Sequence, residues 1–335
     1  MQIAAQRQIQ HTTYHPLLIT KSQLSNTLLC AGTDSSTHVT SIHPTSLAET
    51  ARITPIPYGG DPIGIAPHPT LDIILMHTRN PPYCARIQAD PLSLLSLVAH
   101  TNYGLYASHL IPATSIGTLI GGLWPTGNSL SANRLIDAAE LTPITDPSFP
   151  HSLRPLTTDT NQTALYAASV IPPATIIRIP LPALSPLTQH TLSISTFLPL
   201  TLLYDTSRDT LLCVGANPTT PAVELDPDSL DEIAWYSAPT LSGDTRAAAI
   251  NPASRTLAIL TTNTNTDIVT FDTTSRSKRD SLTLYTGIPT PAAAMFIHPT
   301  GDTIYATTTT PSTTTATIYR ISTGGTDHLP LTGIG

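Results

Sequence analysis

One pattern returns seven times along this chain, and its spacing leaves few folds open. Phe296 to Thr323, FIHPTGDTIYATTTTPSTTTATIYRIST, carries two β-prone runs, TIYATTTT and ATIYRIST, around a Pro-Ser-Thr turn, with His-Pro-Thr-Gly in front. The same shape begins at Leu17, Gly64, Leu153, Thr201 and Ala247, with a poorer copy from Leu110. Aligning the residue that opens the second run gives Thr27, Asp72, Thr118, Thr163, Thr210, Thr256 and Thr303, at steps of 45, 46, 45, 47, 46 and 47 residues. An isolated two-stranded hairpin is marginal in water, so each copy must pack against its neighbours.

Each unit reads as four short strands. A strand of small residues comes first (PIGIAPHP, AAAINP, AAAMFIHP), then an apolar strand (TLLCAG, TLAILT, TIYATT) and a third (HVTSIHP, DIVTFDT, ATIYRIS). A weaker fourth follows, such as ARITPIP or SLTLYTG. Four strands every 40–50 residues is the period of a propeller blade, and small residues suit a first strand that lines a crowded central channel. Solenoids stack units of one or two elements and need capped ends. The prediction is therefore an all-β chain: a seven-bladed β-propeller with four antiparallel strands per blade and a repeat of about 46 residues, forming a single domain over residues 1–335. The ring must close, and either MQIAAQRQIQ or DHLPLTGIG can supply its last outer strand.

Composition agrees and narrows the partners. Charged residues are 11 % of the chain, against a usual ~25 %, so Thr, Ser, Asn and Gln carry the polar surface. β-Branched Thr suits strands, and 32 Pro with 17 Gly mark many turns. Net charge is −7, and Lys21 and Lys278 are the only lysines. Without a basic stripe, no nucleic-acid partner is expected; Arg276-Ser-Lys278-Arg279 reads as a solvated loop after a strand. Cys30, Cys84 and Cys213 make neither a disulfide framework nor a CxxC zinc site. Cys30 and Cys213 occupy the same repeat position, which predicts core thiols and not nucleophiles. No apolar run reaches the ~18 residues of a membrane span, and the first residues lack the pattern of a signal peptide. A cytoplasmic location is the expectation, with the sequon Asn161-Gln-Thr as the single hint of secretion.

HPTGDTIYATT, from His298, and NPASRTLAILTTNTNTDIVTFDT, from Asn251, resemble the repeat unit of bacterial and fungal seven-bladed propellers. That group includes the lactonase family (6-phosphogluconolactonase-like proteins and carboxymuconate cyclases) and the YVTN-repeat surface proteins. WD-repeat propellers are a poorer match, because no Gly-His … Trp-Asp pair recurs. The resemblance covers the whole chain as architecture and implies a polar pocket at the mouth of the central channel. In the cyclase branch it implies a His/Arg/Glu set that binds carboxylates and moves a proton without metal. No motif fixes those residues here.

Chemistry is expected in the loops entering the first strands and in those joining second to third strands, which share one face. His77-Thr-Arg79-Asn-Pro-Pro-Tyr83 is a distinct cluster in the second unit. His77 suits acid–base work near neutral pH, and Arg79 suits holding a carboxylate or an oxyanion. The ordinary alternative is a polar loop with a satisfied His. The entering loops add Tyr58, Tyr103, Tyr106 and His109, then His151 with Arg154, and Asp244 with Arg246. Arg154 and Arg246 either bind an anion in the channel or pair with Asp159 and Asp244 to pin neighbouring blades. Tyr58, Tyr103, Tyr106 and Trp124 can wall a pocket around a flat ligand. His68 and His298 precede Pro in the first turn of their units and read as turn residues. Acidic residues are scattered, without a calcium or magnesium cluster, and there is no Gly-x-Ser-x-Gly elbow.

The expectation drawn from this is an enzyme needing neither cofactor nor metal, acting on a small polar or anionic cyclic substrate. It would open or close a lactone, or cyclise, by proton exchange at His77, His109 or His151. Arg79, Arg154 and Arg246 would orient the carboxylate, and Asp244 with the tyrosines and Trp124 would bind substrate. Two alternatives stand beside it: a non-catalytic scaffold binding a protein or peptide, and a propeller that shapes a hydrophobic intermediate.

Overall fold

The computed structural model describes residues 1–10, 18–22, 24–33, 36–56, 61–68, 71–79, 83–99, 106–113, 118–124, 133–137, 143–145, 153–169, 172–181, 188–217, 219–238, 244–286, 293–297, 303–309 and 315–323. The strands among them form seven four-stranded antiparallel sheets, each consecutive in the chain except the last. Blade one runs Leu18–Lys21, Leu28–Thr33, Thr37–Ile42 and Glu49–Ile56. Blades two to six begin at Asp61–Pro67, Tyr106–Ala113, Leu153–Thr158, Pro199–Asp205 and Asp244–Asn251. Blade seven is built from Ala293–Ile297, Thr303–Thr309 and Thr315–Ser322, and its outer strand is Gln2–Gln10.

That last pairing resolves how the ring closes. Gln2–Gln10 runs antiparallel to Thr315–Ser322, so the N-terminal end supplies the missing strand. Each first strand lies beside the first strand of the next blade, and Ala293–Ile297 lies beside Leu18–Lys21. The second strands begin within one residue of the aligned positions, at Leu28, Ile73, Thr118, Ala164, Thr210, Thr256 and Thr303.

Burial explains why the second strand carries the apolar signal. Ala164–Ser169, Thr210–Gly215 and Thr256–Thr262 are buried at every position, because one face meets the preceding blade and the other the following one. The cores lie between blades. Leu28, Cys30, Ile42 and Leu47 of blade one pack with Tyr305, Ala316 and Ile318 of blade seven. Cys213 holds the equivalent place between blades four and five. Burial pushes all three thiols up, Cys84 to about 12, as expected of core thiols.

The turns joining strands one to two and three to four gather on one face, here the lower face. A side-chain acceptor caps almost every described one. In the first turns Ser22, His68, Asp159, Asp205 and Asn251 accept a backbone N–H three, three, four, two and three residues on. In the third turns His43, Asp226 and Asp272 each accept two, from residues two and three positions on. His68 is a turn residue, as its place before Pro suggested, and burial followed by the Arg86 charge lowers its pKa. His298 lies outside the described residues. The same turns place Asn26, Leu47, Gln162, Asp209, Leu230, Arg255 and Arg276 at positive φ. For Leu47 and Leu230 the left-handed conformation is unusual, but it turns both side chains fully into the inter-blade core, which offsets the strain.

Candidate functional site

The residues singled out for acid–base chemistry stand at the upper ends of inner strands. His77 and Arg79 close the second strand of blade two, Ile73–Arg79, with Arg79 opposite Asp61 and His77 opposite Gly64. Tyr106 and His109 lie in Tyr106–Ala113, with Tyr106 opposite Trp124. Arg154 is in Leu153–Thr158, and Asp244 and Arg246 are in Asp244–Asn251. These are strand residues where loops were expected, because each inner strand extends up to the rim. Tyr58, Tyr103 and His151 lie outside the described residues.

Two placements bear on that chemistry. His77 is only 5 % exposed, within the blade and not on a loop. Arg246 pairs with Asp244 two residues away, Nη2 to Oδ2 at 3.2 Å, and donates from Nε to Thr262 Oγ1 at 2.9 Å. This ion pair lies within one strand at an exposed rim and does not pin neighbouring blades. Among the described residues, no three His, Cys, Asp or Glu side chains are grouped to hold a metal ion.

A polar pocket of about 400 Å³ opens instead on the lower face, between blades four and five. Its floor and one wall are tyrosines. Tyr166 of Ala164–Ser169 and Tyr204 of Pro199–Asp205 stack with ring centroids 5.9 Å apart and planes at 27°. Tyr166 is buried, and burial raises its pKa. Burial also raises that of Tyr204, helped by the hydrogen bond its hydroxyl donates to Asp209 Oδ1.

Turns of both blades supply the acidic rim. Asp159 caps the first turn of blade four, accepting from Thr163 N at 2.8 Å, Ala164 N at 3.0 Å and Thr163 Oγ1 at 2.5 Å. Asp209 ends the first turn of blade five, and Asp228 sits in its third turn. Arg178, on the third strand of blade four (Thr175–Pro180) directly opposite Tyr166, crosses the gap to Asp228, Nη2 to Oδ1 at 3.1 Å. Its Nε is shielded from water and makes no hydrogen bond among the described residues. Three carboxylates thus line the pocket with one guanidinium, leaving it net negative with aromatic walls.

This site lies on the face opposite the loops in which the sequence points to chemistry. A signal was nonetheless present. Arg86, Arg178, Glu224 and Arg320 each lie opposite the third residue of their blade's second strand, Leu75, Tyr166, Leu212 and Tyr305. Recurrence of charge at one repeat position is notable in so uncharged a chain.

The ring of seven four-stranded sheets defines this chain as a seven-bladed β-propeller. Solved propellers agree: it superposes on the β-propeller domain of Myceliophteria thermophila Cps50 (Swd1) with a TM-score of 0.73 at 11 % identity, covering 95 % of this chain and 100 % of that one. It is similarly close to a chain of Kuenenia stuttgartiensis hydrazine synthase, with a TM-score of 0.73 at 12 % identity, covering 94 % and 97 %. At such identities the likeness concerns the fold alone. No family sequence model matches the chain, and no curated protein matches it.

Proposed function

We propose that this propeller is a non-catalytic binding module that holds a basic segment of a partner protein on its lower face. The pocket between blades four and five carries the proposal. A Lys or Arg side chain entering it would lie over the Tyr204 face, where a cation is attracted by the ring. It would also donate charge-assisted hydrogen bonds to Asp209 and Asp228. The net charge of −7 assists the approach of a basic partner.

The lactonase-like reading rests on the gathering of His77, Arg79, Arg154 and Arg246 at strand ends of the upper face. It asks of those groups roughly 10²–10⁴-fold from proton transfer. The burial of His77 and the local pairing of Arg246 weigh against it.

Calorimetric titration with short arginine- and lysine-containing peptides tests the proposal. Binding that weakens with salt and is weakened further in Tyr204→Ala and Asp209→Asn is expected. No binding, together with metal-independent turnover of lactones that is lost in Arg246→Ala, would replace it with the enzyme reading.

A further inference from the structure

The carboxylates of the pocket are not equally free to meet a ligand. Asp159 has both oxygens engaged in the first turn of blade four, Oδ1 with Thr163 N and Ala164 N, and Oδ2 with Thr163 Oγ1. Asp209 Oδ1 accepts the Tyr204 hydroxyl, and Asp228 Oδ1 faces Arg178 Nη2 at 3.1 Å. That leaves Asp209 Oδ2 and Asp228 Oδ2 without a donor among the described residues. They belong to separate turns of blade five, the first and the third. A ligand that satisfies both must bring N–H groups that diverge. The aromatic wall makes a second demand. Tyr166 and Tyr204 stack at 27°, and Tyr166 is only 2 % exposed, so Tyr204 is the ring that stays partly open. Rings this close to parallel cannot surround a cation, as the aromatic cages that hold methylated ammonium groups do. They offer one flat surface, which suits a flat cation.

We infer that the pocket selects unmethylated arginine over lysine; the inference rests on the basic-segment reading above and names the side chain that the pocket takes. A guanidinium is planar, stacks on aromatic faces and carries five N–H donors in a fixed fork. Lying on Tyr204, it would add a third layer to the Tyr166–Tyr204 stack and turn N–H groups from two of its edges to Asp209 and Asp228. The Tyr204 hydroxyl and the Arg178 guanidinium already orient these two acceptors. A lysine ammonium is a compact, strongly hydrated point charge, so it gains less from a flat ring and loses more water on entry. Methylation of the arginine keeps its charge but blocks bonding through the fork, so it acts against binding here.

Calorimetry of the full chain with one short peptide tests this, the peptide being made with arginine, lysine, asymmetric dimethylarginine or citrulline at a single position. The arginine form should bind at least ~10-fold tighter than the lysine form. Dimethylarginine should lose most of that advantage although its charge is kept, and citrulline, which keeps the shape without the charge, should bind weakest. Tyr204→Leu, with an unchanged circular dichroism spectrum, should weaken the arginine form more than the lysine form and so narrow their ratio. Lysine binding as tightly as arginine, dimethylarginine binding as tightly as arginine, or a ratio unmoved by Tyr204→Leu would overturn the inference and leave the basic-segment reading standing. Binding of none of the four peptides would overturn both.

Discussion

Two neighbouring blade interfaces use the same positions with opposite results. Between blades four and five, Arg178 reaches Asp228 and leaves a pocket. Between blades five and six, the equivalent third-strand position holds Glu224, on Ala222–Leu225, and arginines from both blades converge on it. Glu224 is fully buried. Arg208 Nη2 approaches its Oε1 at 2.6 Å, and Arg276 Nε donates to its Oε2 at 2.8 Å. Arg208 comes from the first turn of blade five and also donates from Nη1 to Thr273 O of blade six. Although burial disfavours its charge, Glu224 raises its pKa. Tyr236 adds a hydroxyl to the same carbonyl at 3.4 Å. At this boundary each blade reaches into the other, and the Glu224 carboxylate is enclosed while Arg208 and Arg276 keep part of their side chains at the surface. At the pocket Asp228 is 85 % exposed, and the pair spans an opening. The difference teaches that one repeat position can serve as a structural clamp or a recognition site, according to whether the adjoining turns cover it.

The comparison can be broken most forcefully at the clamp. Glu224→Ala leaves two arginines at the interface without their carboxylate and is expected to cost about 3–5 kcal/mol in denaturant unfolding. Replacing Glu224, Arg208 and Arg276 together by apolar residues of similar volume should recover most of that loss. A single-residue loss below about 1 kcal/mol would place this interface with the open one.

At the pocket the larger effect should fall on binding and the smaller on folding. Asp209→Asn removes a charged acceptor and is expected to weaken binding of a basic peptide roughly 10- to 100-fold, read by calorimetry. Acid titration should separate the interfaces further. Asp272 is held at about 2, below its ordinary 3.8, by the backbone N–H of Ser275 and then by Arg279. Because the folded value is depressed, its contribution is complete above the unfolded pKa and fades as pH falls from about 4 towards 2. Asp272→Asn should flatten the acid limb of the stability curve; an unchanged limb would contradict this. The smallest effect is expected for Asp228→Ala, whose exposed pair with Arg178 should contribute no more than about 1 kcal/mol to stability, measured by the same unfolding assay.

The architecture was legible because it is local and repeated. Strand-two runs such as TLLCVG and TLAILT announce burial on both faces, and seven copies at one spacing leave the ring as the consistent packing. Ring closure was not legible, since MQIAAQRQIQ and DHLPLTGIG both read as outer strands. Backbone pairing with Thr315–Ser322 decides it. The pocket was hidden for a different reason. Arg178 and Asp228 are far apart in the chain, and only the docking of a blade's third turn onto its neighbour brings them together. Arg276 shows the same limit. It reads as part of a solvated basic loop, yet its guanidinium reaches a buried carboxylate in the preceding blade. By contrast, the core roles of Cys30 and Cys213 were readable from their equivalent repeat positions alone.

The most direct test is amide hydrogen exchange of the full chain with and without a short arginine-rich peptide. Exchange protection marks the turns a ligand orders. Protection confined to Asp159–Thr163, Thr206–Asp209 and Pro227–Asp228, on the lower face of blades four and five, is the predicted result. Protection at the upper rim around His77 and Arg246, or at neither place, would contradict the assignment of the site.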